Sequence, residues 1–421
     1  MWNQRSILCA RIIGFWFCRL FIAGNSAVAE ERRILLEERL ASITAQFTTN
    51  ASINGQPCLM LVDTGASETA IDSSFRKHVG DEVDNTTAYF SDGKTITQPR
   101  YHAEVISAQS LIVQNPKVLV IDFRQIAEFV GLPVKGALGM DAISKGKLLL
   151  DFDGKSVVIS SGSWTLTNAT QEVDLDKMAV VPTIDVSIGG HRAQFVIDTG
   201  SNGGVTLEKA LFDELVKAGD IKPVLTGGSS ISAVGEAKVR SGRFVRGNLM
   251  GKRLEGFSVD AAPRGFLGMC WLCGFNIEID FPERKLRYVE RPNAAPPLDI
   301  QSMVGAIFMY DDVGARVERL KPGGGAAETA GLQVGDTIVS LDGMRRAEMN
   351  IATVAEAVTA KAGKEIEIRF LRPPEDIPRV TKLRLPPPIS EWPDLRQGDG
   401  STDKVETSAV DASIKGESST R

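Results

Sequence analysis

The chain has 421 residues, 43% of them hydrophobic and 24% charged, a length that corresponds to about three domains. That balance is ordinary for a globular protein and excludes a wholly disordered, collagen-like or polytopic membrane chain. A net charge of −5 without a long basic run argues against nucleic acid as a partner. The three histidines, His78, His102 and His191, show no zinc-ligand spacing, which excludes a HExxH metalloprotease.

Residues 1–29 read as a secretory signal. Arg5 and Arg11 supply positive charge, Ile12 to Ile22 is largely apolar, and Ala27-Val28-Ala29 gives a small-x-small cleavage site before Glu30. This predicts a periplasmic or secreted protein; an anchor left uncleaved, with Arg19 inside its apolar run, is the alternative. Beyond the leader the chain turns to short β-branched runs broken by Gly, Asn and Asp, the pattern of an all-β unit.

The first such unit is expected over residues 45–162. A strand from Ile53 turns at Gly55 and continues as Cys58-Leu-Met-Leu-Val62 into Asp63-Thr64-Gly65. Tyr89-Phe-Ser-Asp-Gly93-Lys94 carries a turn signal between strand-like runs. Gly136-Ala-Leu-Gly-Met140 follows, then the strand Leu148-Leu-Leu-Asp-Phe152. A second unit, 173–291, repeats the order. Ile188 leads through Gly190 to Asp198-Thr199-Gly200, and Gly265-Phe-Leu-Gly-Met269 leads to Ile277-Glu-Ile-Asp-Phe281. The tripeptides stand 135 residues apart and the second pair of anchors 129, so one unit occurs twice with a small length difference. Gly227-Gly-Ser-Ser230 is expected as a flexible loop of the second unit. Cys270-Trp-Leu-Cys273 has no second CxxC or nearby His to complete a metal site, and is read as buried structural thiols or a local disulfide.

Residues 300–385 change character. A strand opens at Val304-Gly305-Ala306-Ile307-Phe308, Arg316 to Leu320 follows, and Ala330-Gly-Leu332 precedes Val334-Gly-Asp-Thr-Ile338. A helix is predicted from about 350 to 360 and a strand from Glu365 to Phe370. From 386 onward Pro386-Pro-Pro388 leads into a Ser-, Thr- and Asp-rich tail that cannot bury enough surface to order itself.

Two Asp-Thr-Gly tripeptides, each behind an apolar strand and each followed by Leu-Gly-Met, resemble the pepsin and retropepsin aspartic protease family over about residues 45–291. The resemblance implies a mainly β, bilobal fold in which each lobe contributes one carboxylate, Asp63 and Asp198, to a catalytic dyad. Two carboxylates about 3 Å apart share one proton: the ionised one activates a water, and the protonated one stabilises the oxyanion. Neither metal nor cofactor is needed. The resemblance further implies that Thr64 and Thr199 bond across the lobe interface. Gly65 and Gly200 let backbone N–H groups approach the carboxylates, and the Ser201 hydroxyl bonds Asp198 where the first lobe has Ala66. Tyr89 and Gly93 fall about where the family places its flap. Residues 300–385 resemble a PDZ domain of the bacterial protease type. Gly305, Ala306, Ile307 and Phe308 would there receive a peptide C-terminus, which adds as a strand. The implied activity is that of an aspartic endopeptidase on protein or peptide substrates, for which a monomer suffices. The alternative is an inactive peptide-binding protein built from the same modules.

Overall fold

A computed structural model describes residues 32–387 except 92, 163–164, 233–234, 292–302, 321–324 and 376, without the side chains of 225–229. The expected leader at 1–29 and the tail from 388 lie outside the described residues.

The duplication seen in the sequence is a duplication of topology. Gln56–Val62, the apolar run ahead of the first tripeptide, sits inside a nine-stranded sheet. Its order is Glu82–Tyr89, Thr95–His102, Lys117–Ile121, Ala70–Asp72, Val134–Leu138, Gln56–Val62, Thr48–Ile53, Val105–Ala108, Leu111–Gln114. The second lobe repeats that order strand for strand: Ile221–Ser232, Gly235–Phe244, Ser258–Ala262, Val205–Glu208, Gly265–Leu267, His191–Ile197, Thr183–Ile188, Asn248–Leu249, Lys252–Arg253. In both lobes the strand entering the tripeptide is buried at its C-terminal end, where Met60, Leu61 and Val62 correspond to Phe195, Val196 and Ile197.

A third sheet joins the lobes. Lys147–Asp151 and Phe275–Asp280 pair antiparallel at its centre, with Leu148 opposite Ile279 and Leu150 opposite Ile277. Ser156–Ser161 and Arg33–Arg39 extend it on one side, Lys285–Glu290 and Gln171–Asp174 on the other. Lobe one therefore begins before residue 45, because Arg33–Arg39 completes this sheet. Its centre buries charge: Lys147 Nζ lies 2.7 Å from Asp280, and Arg287 pairs Glu278 at 2.8 Å and Asp280 at 3.3 Å.

The segment expected to be a PDZ domain forms a separate sheet ordered Ala306–Tyr310, Ala315–Leu320, Thr337–Leu341, Glu365–Leu371, Arg379–Arg384. Its helix Ile351–Ala360 starts where Asn350 accepts the N–H groups of Ala352 and Thr353. The Asp of its Gly335-Asp336 pair is structural: Asp336 is buried, receives both prongs of Arg372 at 2.7 Å and accepts the Gln333 N–H. Gly227–Ser230 departs from expectation. It forms strand rather than loop, since Gly228, Ser229 and Ser230 pair with Val239, Lys238 and Ala237 in a backbone ladder that asks nothing of side chains.

Candidate active site

Each tripeptide turns sharply on its own carboxylate. Asp63 Oδ1 accepts the N–H groups of Gly65 at 2.8 Å and Ala66 at 3.1 Å, and Asp198 Oδ1 accepts that of Gly200 at 2.9 Å. The Leu-Gly-Met segments lock the turns from behind. Asp63 N bonds Leu138 O and Met140 N bonds Ala66 O; Asp198 N bonds Leu267 O and Met269 N bonds Ser201 O.

The two loops then interlock. Thr64 N donates to Thr199 Oγ1 at 3.1 Å and Thr199 N to Thr64 Oγ1 at 3.0 Å. Each hydroxyl donates onward into the opposite strand, Thr64 to Ile197 O at 2.6 Å and Thr199 to Val62 O at 2.7 Å. Both threonines are fully buried. This lattice sets the carboxylates against the opposite lobe's glycine. A Cβ on Gly65 would stand 2.6 Å from the Asp198 carboxyl carbon, and one on Gly200 would stand 2.3 Å from that of Asp63. Only glycine fits at either position.

Burial pushes both carboxyl groups above the ordinary carboxylate range. At Asp198 the negative charge of Asp63 adds to the rise. A bond from Asp198 and the two loop N–H groups favour the ionised form of Asp63. The charge of one carboxylate opposes ionisation of the other, so the two titrate as a pair that shares one proton.

The Ser201 hydroxyl has a partner that the sequence did not suggest. It accepts the N–H of Gly203 at 3.1 Å, and the influence of Ser201 on Asp198 comes through its own backbone N–H. That bond draws the hydroxyl oxygen toward the turn that precedes Val205–Glu208 and leaves its proton to donate elsewhere.

The dyad opens into a cavity of about 1500 Å³. The hairpin of Glu82–Tyr89 and Thr95–His102 forms one wall, with Tyr89 exposed near its tip and Gly93 at φ +88°. Gly93 lies against lobe two, where a Cβ would come 2.6 Å from Pro263 Cγ. Tyr89 and Gly93 both line the cavity. So does the matching hairpin of lobe two, through Ile231 and Ser232. Lys94 Nζ donates to Glu236 O at 2.9 Å, so the two hairpins touch. Arg100 ties the first hairpin to the segment after the first Asp-Thr-Gly, bonding Asp84 at 2.6 Å and Glu68 at 2.7 Å.

Gln46 went unread in the sequence. Its amide donates to Gly200 O at 3.0 Å and it lines the same cavity. A lone glutamine ahead of a strand carries no pattern that could have singled it out. Cys270 and Cys273 are buried thiols behind the second loop that form no disulfide, and burial pushes the Cys273 thiol up to about 12. Such a thiol is inert packing.

Gly305 has φ +74°, rests against Gly325 and also lines the dyad cavity. Ala306, Ile307 and Phe308 are buried. The edge on which a peptide strand was expected is flanked by helix Arg124–Val130 of lobe one.

Compared with known families, the chain matches the aspartyl protease family over residues 49–142 and the PDZ domain family over residues 316–372. No curated protein matches it. The chain thus carries an aspartyl protease domain followed by a C-terminal PDZ domain, in a mainly β fold. The protease match covers the first tripeptide; the second stands in a lobe of identical strand order.

Proposed function

We propose that this chain is an aspartic endopeptidase whose dyad is Asp63 and Asp198. Asp63, ionised and steadied by the Gly65 and Ala66 N–H groups, takes a proton from a water as it attacks the scissile carbonyl. Asp198 carries the shared proton, donates it to the developing oxyanion, and the pair then passes a proton to the leaving amine. Catalysis by this route comes from positioning and from a proton held in a water-poor site. One observation carries the reading: the reciprocal Thr64–Thr199 bonds hold the half-buried Asp63 and the buried Asp198 beside each other across the two lobes. Both halves lie in one chain, so a monomer suffices.

The substrates are protein or peptide segments that enter beneath the two hairpins. The leader expected at residues 1–29 would deliver the enzyme to the periplasm or outside the cell. The test is hydrolysis of an unfolded protein with and without pepstatin. Pepstatin-sensitive cleavage that disappears in Asp63→Asn and Asp198→Asn supports the reading.

A further inference from the structure

Among the described residues, the PDZ sheet ends in strand Ala306–Tyr310, which pairs on one side only, with Ala315–Leu320. Such an edge exposes unpaired backbone groups, and PDZ domains use it to accept a peptide strand. Here the edge is not exposed: all five residues are between 1% and 5% accessible. Helix Arg124–Val130 of lobe one lies along the strand and meets the start of helix Ile351–Ala360. Val130, with Ile126, Phe129 and Leu132 beside it, joins the apolar cluster that holds Phe308, Tyr310 and Val354. Gly131 closes the helix at φ +74°, so near the PDZ domain that a Cβ would stand 2.8 Å from Asn350 Cα and 2.9 Å from the Tyr310 ring. Lys155 of lobe one and Glu356 of the PDZ helix form a second pin at 3.5 Å.

The same sheet grips the other lobe. Arg319, on the strand paired with Ala306–Tyr310, reaches the Glu236 carboxylate at 2.7 and 2.8 Å. Glu236 sits near the turn of the lobe-two hairpin, and its carbonyl accepts Lys94 of the lobe-one hairpin. One small domain therefore holds a lobe-one helix on its edge and the junction of both hairpins on the neighbouring strand.

We propose that helix Arg124–Val130 is the resident occupant of the PDZ edge. A peptide with an apolar C-terminus binds there only by displacing the helix, and the displacement loosens the Arg319–Glu236 hold on the lobe-two hairpin. The peptide and the docked helix compete for one surface, so peptide binding is weakened by the fraction of molecules in which the edge is open. By linkage, whatever undocks the helix tightens peptide binding by the same factor.

Peptide binding is measured in the full chain carrying Asp198→Asn, which keeps the peptide intact and makes the readout independent of proteolysis. The probe is a fluorescent ten-residue peptide ending in Val with a free carboxylate, followed by polarisation, with its amidated form as control (peptide length on the order of a strand plus its flanks). Two changes undock the helix. Gly131→Ala wedges a methyl between the domains, and Glu356→Lys opposes Lys155 at a solvent-exposed pair that leaves the core untouched. The expected result is at least about tenfold tighter binding of the free-carboxylate peptide in both variants, and return to the parent value in Lys155→Glu/Glu356→Lys. Parent and variants binding alike, or no binding in either variant, would overturn the proposal. Hydrogen exchange gives the second readout. The peptide should speed exchange of amides in 124–130 and 235–244, and unchanged exchange in either segment contradicts the coupling.

Discussion

Replacing Thr64 with valine keeps the shape of the side chain and removes its hydroxyl. That oxygen does two jobs at full burial, donating to Ile197 O and accepting from Thr199 N. Valine leaves both partners without that bond in a place water does not reach. Each orphaned buried group costs about 1–3 kcal/mol, so Thr64→Val should destabilise the interlobe contact by about 2–6 kcal/mol. Thr64→Ser keeps the hydroxyl and loses one methyl, worth about 1 kcal/mol. The urea midpoints should therefore fall in the order wild type, serine, valine. Turnover should follow the same order more steeply, because loosened loops misplace the carboxylates and an error of about 1 Å costs on the order of a hundredfold. Equal midpoints and equal turnover for the valine and serine variants would refute the argument that the threonine lattice fixes the dyad.

Three further outcomes follow from the site and its support. With burial and the charge of Asp63 both raising Asp198, the dyad keeps its last proton well above the ordinary carboxylate range, and the basic limb of kcat/KM should lie toward neutral pH; a limb at the pH of a free carboxylic acid contradicts this. Ala66→Ser should leave that limb in place, by analogy with Ser201, whose hydroxyl accepts the Gly203 N–H; a downward shift would show that a hydroxyl at 66 donates to the carboxylate. Lys147→Met strips a partner from buried Asp280 and should cost about 3–5 kcal/mol at neutral pH. Burial works against the Asp280 carboxylate, but Lys147, the Glu283 N–H and Arg287 hold its titration below the ordinary value. Its stabilisation is therefore present above the unfolded pKa of about 3.9 and is lost as pH falls through the folded value. Melting curves should show the gap between wild type and Lys147→Met narrowing in acid, and a gap that widens would reverse the sign.

What could be read before the fold was known depended on repetition. Asp63 and Asp198 drew attention because the same strand, tripeptide and Leu-Gly-Met recur in the same order, a duplication that the strand orders of the two lobes repeat. The threonine lattice came with the tripeptide. The Ser201 hydroxyl did not, because its partner is set by the turn that follows and not by the residue type. Gln46 makes one contact across 154 positions, which leaves no periodic trace. Gly227–Ser230 looked like a loop for want of side chains, yet its backbone supplied everything a ladder needs. Helix Arg124–Val130 is too short to show an amphipathic period, so neither it nor its seat on the PDZ edge could be anticipated.

The most direct measurement is turnover of a single quenched peptide by wild type, Asp63→Asn and Asp198→Asn, with melting temperature and molecular mass recorded for each. The account predicts hydrolysis by a monomeric wild type and none by either folded variant, because each asparagine removes one half of a proton-sharing pair. Hydrolysis retained in either variant, or no hydrolysis by the wild type at any pH where it is folded, would contradict the assignment of the dyad.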